Sequence, residues 1–228
     1  ALSTLVEEGR VYPVDLQKER YFLHRENAYI LSTEIGHLLE AFYKKHPYRL
    51  GMPKAEVREK VLKSSKQNLF DACLPYFNGI SLSGEYLLLT DRGEFKDETY
   101  RKIEKNILQD LEAAAFMLPR VEELDRHKTK EEDFLDILQN LVVEEKVVKV
   151  GEDPELLILK ENLEKGIAFL RSYFKENEVL GISLLKEQFE SSRKCAKAMI
   201  QYFDKVKYTK KVAGESERVA GTELYKEV

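Results

Sequence analysis

The residues best suited to bind a ligand lie near the end of the sequence, where positive charge is concentrated. Residues 192–211 contain seven cationic residues and one anionic residue, a net charge of +6, whereas the whole chain has a formal net charge of −4. All other residues therefore sum to −10. Because local charge decides whether a surface attracts phosphate, this segment predicts binding to a polyanion.

The spacing of residues in this segment predicts a helix followed by a β-hairpin. Ala196, Met199, Ile200 and Phe203 share one side of the helix, and Ser191 or Ser192 suits its N-cap. Strands are expected on either side of a turn at Ala213-Gly214. The candidate nucleic-acid-binding residues are Arg193, Lys194, Lys197 and Gln201 on the helix, and Lys207, Lys210, Lys211 and Arg218 on the hairpin. A solvated lysine-rich face fits the charge pattern equally well.

The remaining residue patterns predict neither catalysis nor a metal site. The four histidines are scattered, and none stands at metal-ligand spacing from a cysteine. No glycine-rich phosphate-binding loop occurs, so no nucleotide or other cofactor is expected. The two cysteines, Cys73 and Cys195, are expected to be free thiols. The acidic runs around Glu122 and Glu131 are interpreted as solvated surface.

The general features of the chain are those of a folded, highly charged protein. Its 228 residues are 43% hydrophobic and 34% charged, and no apolar run approaches about 18 residues. We therefore expect a cytoplasmic, monomeric protein with no membrane partner. Because the sequence starts at Ala1 within an apparent helix end, we expect a fragment of a longer protein.

A short pattern recurs along the chain. The spacing of residues 2–14 reappears 136 positions later in residues 138–150, and a looser copy follows a further 61 positions on. A degenerate copy covers residues 70–89. Each copy reads as the last turns of a helix followed by an alternating strand, which is typical of a modular array. Thr129 and Glu132 are predicted to form a capping box between two of the helices.

Short helices followed by a two-stranded wing predict tandem winged-helix (helix-turn-helix) modules, a mainly α fold with small β wings in the α+β class. We divide the chain into the end of a first module (1–30), a second (31–96), a third (97–161) and a fourth (162–228). The charge distribution further predicts that residues 160–220 alone retain most of the affinity for nucleic acid.

Two segments resemble a known family. Residues 181–219, with Ser192-Arg193-Lys194, Phe203-Asp204 and Thr209-Lys210-Lys211, resemble the last winged-helix module of the bacterial selenocysteine-specific translation elongation factor. Residues 46–58, with His46-Pro47 and Gly51, resemble its second module. The wing departs from the family in carrying Lys210 and Lys211 where arginine is frequent.

The resemblance implies that the fourth module binds the mRNA hairpin that recodes a UGA stop codon as selenocysteine, with the ribosome as a further candidate partner. The GTPase and aminoacyl-tRNA site would lie outside this chain. Arg193, Lys194 and Lys197 would lie on the recognition helix, and Lys210, Lys211 and Arg218 on the wing. Two alternatives stay open at this point: a DNA-binding transcriptional regulator and a protein-interaction scaffold.

Overall fold

The computed structural model describes residues 2–16, 19–63, 65–93, 95–151, 153–212 and 217–226. The chain divides into two compact units, residues 1–97 and residues 98–228. The first unit holds the predicted first and second modules, and the second holds the third and fourth. No helix in the described part of the chain is long and apolar enough to cross a membrane.

The first unit contains one wing followed by a complete winged helix. Its elements in order are α1 (Leu2–Glu7), β1 (Val11–Leu16), β2 (Glu19–His24), α2 (Arg25–Lys45), β3 (Met52–Pro53), α3 (Lys54–Val61), α4 (Gln67–Cys73), β4 (Ile80–Ser83) and β5 (Tyr86–Leu89). Strands β1 and β2 pair antiparallel, and β3, β5 and β4 form a three-stranded antiparallel sheet in that order. Val14 of the first wing joins the core around Ile35 and Phe70.

The second unit contains two modules. Its elements are α5 (Glu98–Ala114), α6 (Glu131–Val143), β6 (Val147–Val150), β7 (Leu156–Leu159), α7 (Lys160–Tyr173), α8 (Ile182–Gln188), α9 (Arg193–Lys205), β8 (Thr209–Lys211) and β9 (Arg218–Ala220). Strands β6 and β7 form one antiparallel wing, and β8 and β9 form the other. The fold is therefore a tandem array of winged-helix domains, as the sequence predicts.

Two of the boundaries between modules are short because the wing runs directly into the next helix. Strand β2 ends at His24 and α2 begins at Arg25, while β7 ends at Leu159 and α7 begins at Lys160. The predicted boundary between residues 30 and 31 thus falls inside α2, and that between 161 and 162 falls in the first turn of α7. The boundary between 96 and 97 lies one residue before the division between the two units, which falls between 97 and 98. The four-module division itself stays a prediction.

The recurring pattern corresponds to a recurring turn. A residue of left-handed backbone follows the helix in each of the three copies: Gly9 with φ 65°, Glu145 with φ 56° and Lys207 with φ 61°, and Glu190 with φ 48° closes α8 in the same way. After each, the next N–H donates to a carbonyl five residues back, which closes the helix end. The turns of the first and second copies lie 136 residues apart, which confirms the predicted spacing. Those of the second and third copies lie 62 residues apart, not 61. The predicted spacing of 61 matches Tyr202 to Leu141 of the previous copy, whereas in the structure the buried residue equivalent to Leu141 is Phe203.

The predicted capping box at Thr129 and Glu132 is wrong. Helix α6 has Lys130 at its N-cap, and no side chain caps it. Arg126 fixes this end instead, because its guanidinium holds Glu131 through Nε–Oε2 (2.6 Å) and Nη2–Oε1 (3.0 Å). The preceding residues His127 and Lys128 both have positive φ, which a helix-start pattern does not reveal.

The two modules of residues 98–228 share one hydrophobic core. Leu118, Val150, Leu156 and Ile158 of the third module are at most 2% exposed and pack in the same cluster as α7, α8 and α9. Phe116 stacks on Phe189 with ring centroids 4.1 Å apart. The third module is therefore part of what holds the fourth in shape. Both cysteines are free and buried, and Cys195 lies in this shared core.

The segment with His46, Pro47 and Gly51 is a structural element of the second module. A Cβ on Gly51 would lie 2.4 Å from the carbonyl oxygen of Leu87 in β5, so only glycine fits where β3 meets the sheet. Arg92 holds the loop before it by donating to the carbonyl oxygens of Pro47, Arg49 and Leu50.

Replacing Gly51 should therefore test the packing of this unit. Gly51→Ala is expected to lower the free energy of unfolding by about 2–3 kcal/mol, since the backbone of β5 must shift. Gly36 lies inside α2, where an added Cβ meets nothing within 4 Å, so Gly36→Ala should raise stability by about 0.5–1 kcal/mol. Urea unfolding of both variants measures the difference, and equal effects would contradict the close approach to Leu87.

Candidate nucleic-acid interface

Helix α9 positions the cationic residues by burying its opposite side. Its apolar face is fully packed: Ala196, Met199, Ile200 and Phe203 are each 0% exposed, which confirms the predicted inward side. Ser192 is the N-cap, and its hydroxyl accepts from the N–H of Cys195 at 3.1 Å. The helix is therefore held at a fixed rotation about its axis, with the remaining face turned to solvent.

All seven cations of residues 192–211 are exposed. They are Arg193, Lys194, Lys197, Lys205, Lys207, Lys210 and Lys211. Within the described part of the chain, none of them forms an ion pair. Gln201, one of the candidate residues, lies on the same side but is half-buried. No acidic residue stands in the first turn of α9. These seven residues, which we call the cationic surface, carry charge that no ion pair among the described residues compensates.

The turn after α9 directs the chain into the wing. Lys207 takes the left-handed conformation there, and the N–H of Tyr208 donates to the carbonyl of Phe203 at 2.8 Å. Strand β8 then pairs with β9, with Lys210 opposite Val219 and Lys211 opposite Arg218. Because side chains alternate along a strand, Lys210 and Lys211 point to opposite faces of the wing. The predicted turn at Ala213-Gly214, and Glu215 and Ser216, lie outside the described residues.

Arg218 is not part of the exposed surface, which corrects the sequence-based prediction for this residue. Its side chain is 9% exposed, and its Nε lies 2.9 Å from Oδ2 of Asp204 in α9. Asp204 also accepts from the hydroxyl of Thr209 at 2.6 Å. The backbone of Arg218 pairs with that of Leu180 in both directions. Arg218 therefore fastens the wing to the helix.

The sequence pattern does not show this ion pair between Arg218 and Asp204, because it indicates only that Arg218 is positively charged. The signal that could have found it is Asp204, the single anion in a strongly cationic segment. In the structure this acid is bonded to Arg218 and Thr209, so its role within the cationic segment is structural. The pair is neutral, so the surface keeps the charge of its seven exposed cations.

The third helix of the second module offers no comparable surface. Helix α4 has the sequence Gln-Asn-Leu-Phe-Asp-Ala-Cys and contains no lysine or arginine. Its carboxylate, Asp71, binds Lys54 at 3.1 Å and the amide of Gln67 at 2.6 Å. The first wing packs beside it, where Tyr12 stacks on Tyr76. The cationic surface is thus a property of the last module.

Comparison with known proteins gives two family matches. Residues 37–77 and residues 172–215 each match a family model described as the winged helix of elongation factor SelB. In the structure both matched segments lie in winged helices. The first match covers the segment with Gly51, and the second covers the whole of α9 and all seven residues of the cationic surface. The chain therefore contains two segments similar to the winged helices of elongation factor SelB.

Two further comparisons add little to this assignment. The mRNA-binding domain of elongation factor SelB from E. coli, solved in complex with SECIS RNA, is 14% identical with a TM-score of 0.42. The match covers 53% of this chain and 98% of that one, and at this level of similarity it carries no argument. No curated protein sequence matches the chain.

Proposed function

We propose that this SelB winged-helix region binds an RNA hairpin, the selenocysteine-insertion element of an mRNA, through the cationic surface of its last module. Binding would tether a cytoplasmic elongation factor to the message at the UGA codon to be recoded. The chain itself would act by binding and not by catalysis, since winged helices serve as nucleic-acid-binding modules.

The single observation that carries the proposal is the set of seven exposed cations on one helix and its wing. Lys and Arg that are not paired within the protein can neutralise phosphates and release the counterions condensed on them. The rest of the chain is net negative, so an RNA would be attracted to this surface and repelled elsewhere. The resemblance of residues 181–219 to the last module of the selenocysteine-specific factor implies the class of RNA, a message hairpin.

A winged helix could also bind DNA, so the choice of nucleic acid needs its own experiment. We expect a hairpin RNA bound to the full chain to be displaced by unlabelled hairpin RNA at much lower concentration than by duplex DNA of equal length. Filter binding at fixed salt measures both. Preferential displacement by duplex DNA would favour a DNA-binding regulator, and no binding of either at low salt would favour a protein-interaction scaffold.

Arg193 and Lys211 are expected to contribute differently to binding. Arg193 stands in the first turn of α9 and has a planar fork suited to a base edge, whereas Lys211 is a point charge on the wing. Arg193→Ala should cost about 1–3 kcal/mol with the cognate hairpin and reduce discrimination against a loop-scrambled hairpin. Lys211→Ala should weaken both RNAs alike and lower the salt slope by up to about one unit.

Titration of both variants with both hairpins at two salt concentrations measures these effects. If Arg193→Ala weakens the two hairpins equally, Arg193 binds phosphate and base recognition lies elsewhere. Lys102→Ala is the control, because Lys102 is an exposed lysine that lies outside the cationic surface.

A further inference from the structure

A cleft of about 680 Å³ lies within the 98–228 unit, beside the cationic surface. The wing of the third module forms one side with Val148 and Lys149, and α7 forms another with Lys160 and Ile167. Tyr202 of α9 and Tyr208 at the start of the last wing complete it. We call it the tyrosine cleft. Its size is that of a small-molecule site.

The two tyrosines are the cleft's distinctive feature. Both rings are half-buried and pack against the edge of the shared core. In the part of the chain that the structure describes, neither hydroxyl has a hydrogen-bond partner. Burial raises the pKa of Tyr202, with a smaller contribution from the neighbouring Tyr208. The cleft thus contains two neighbouring tyrosine rings whose hydroxyl groups could bind a ligand.

Both lysines of the cleft are paired, unlike those of the cationic surface, and its arginine, Arg171, donates to the backbone carbonyl of Leu224 at 2.7 Å. Lys160 binds Glu145 at 2.8 Å, and Lys149 binds Glu155 at 3.0 Å. A phosphate would find little net attraction there, whereas a neutral planar ring could stack on tyrosine and use the hydroxyls as hydrogen-bond partners. The phosphates of the same strand would be held by Lys205 and Lys207, which lie in sequence between the two tyrosines and are exposed.

From this arrangement we propose that the tyrosine cleft receives the base of one unpaired nucleotide of the RNA bound at the cationic surface. The proposal rests on the proposed RNA-binding function and extends it to a site that combines the third and fourth modules. Proteins usually read RNA from loops and bulges, whose unstacked bases can be turned out onto aromatic side chains. The cleft would select RNAs that present such a nucleotide at a fixed distance from the phosphates on α9.

The chain contains no tryptophan, which permits a direct optical test. In the full chain, Tyr208→Trp would place a single tryptophan in the cleft, which can be excited without exciting the tyrosines, and a stacked base should quench its fluorescence. The probe is the hairpin RNA of the competition experiment, together with versions in which each unpaired nucleotide in turn is abasic. We expect quenching by the intact hairpin and its loss for one abasic version. Tyr29→Trp, at a position 67% exposed in the 1–97 unit, should show no quenching.

A second variant removes any dependence on how well tryptophan fits. Tyr202→Leu should weaken binding of the intact hairpin about five- to a hundredfold and should not weaken the critical abasic hairpin further. Binding measured by RNA anisotropy without quenching, or a Tyr202→Leu effect that is equal for all abasic versions, would overturn the cleft and leave RNA binding intact. Failure of the unmodified chain to bind the hairpin would overturn both proposals.

Discussion

Arg218→Ala is expected to lower the free energy of unfolding of the 98–228 unit by about 2–4 kcal/mol and to weaken RNA binding, although Arg218 is withdrawn from the exposed surface. The variant leaves Asp204, whose side chain is 28% exposed, without the guanidinium that lies 2.9 Å away. Removing one partner of a largely buried ion pair costs more than the pair itself contributes. The wing would lose one of its two side-chain attachments to Asp204 and keep only that of Thr209 at 2.6 Å, so Lys210 and Lys211 would be held less firmly.

Lys211→Ala is the matched control, because Lys211 stands directly opposite Arg218 in the same hairpin and is exposed. Thermal unfolding should be unchanged in Lys211→Ala and markedly lower in Arg218→Ala. Adding Asp204→Asn to Arg218→Ala should restore part of the stability, since no carboxylate is then left unpaired. An Arg218→Ala variant of normal stability that binds RNA poorly would mean that Arg218 contacts the RNA.

Residues 160–228 alone are expected to lose cooperative unfolding and most of their RNA affinity, whereas residues 98–228 should retain the affinity of the full chain. Charge alone predicts that the last module suffices. The structure changes that expectation, because removing residues up to 159 uncovers the side of the core filled by Leu118, Val150, Leu156 and Ile158. Each such side chain contributes about 1.5–3 kcal/mol, a large part of the stability of a small domain.

The measurement is a comparison of the two fragments by circular dichroism melting and by titration with hairpin RNA. The 98–228 fragment serves as the control for loss of the 1–97 unit. A cooperative melt and full affinity for residues 160–228 would show that the shared core is not needed by the RNA-binding module.

Local patterns in the sequence are sufficient to predict much of the candidate nucleic-acid interface. The inward face of α9, its cap at Ser192 and the two wing strands follow from hydrophobic periodicity and capping preferences, which act within a few residues. These features fix which side of the helix is exposed. The sequence therefore suffices to predict that Arg193, Lys194 and Lys197 are accessible to solvent.

The missed features all join residues that are distant along the chain. Asp204 and Arg218 are separated by a hairpin, and the sequence shows their charges but not their contact. Leu118 joins a core built mostly from residues beyond 150, which no periodicity reveals. Arg126 takes the place of a predicted cap because two residues of positive φ precede α6. Tertiary contacts overrode local preference in each case.

The most direct test of the account is the salt dependence of hairpin binding by a variant of the full chain in which Arg193, Lys194 and Lys197 are all glutamine. A matched variant neutralises three exposed lysines of the third module, Lys102, Lys105 and Lys130. We predict that the first variant loses about two units of the slope of log affinity against log salt and most of its affinity, while the second binds like the unmodified chain or slightly better. Equal losses in the two variants, or an unchanged slope in the first, would contradict binding through the cationic surface.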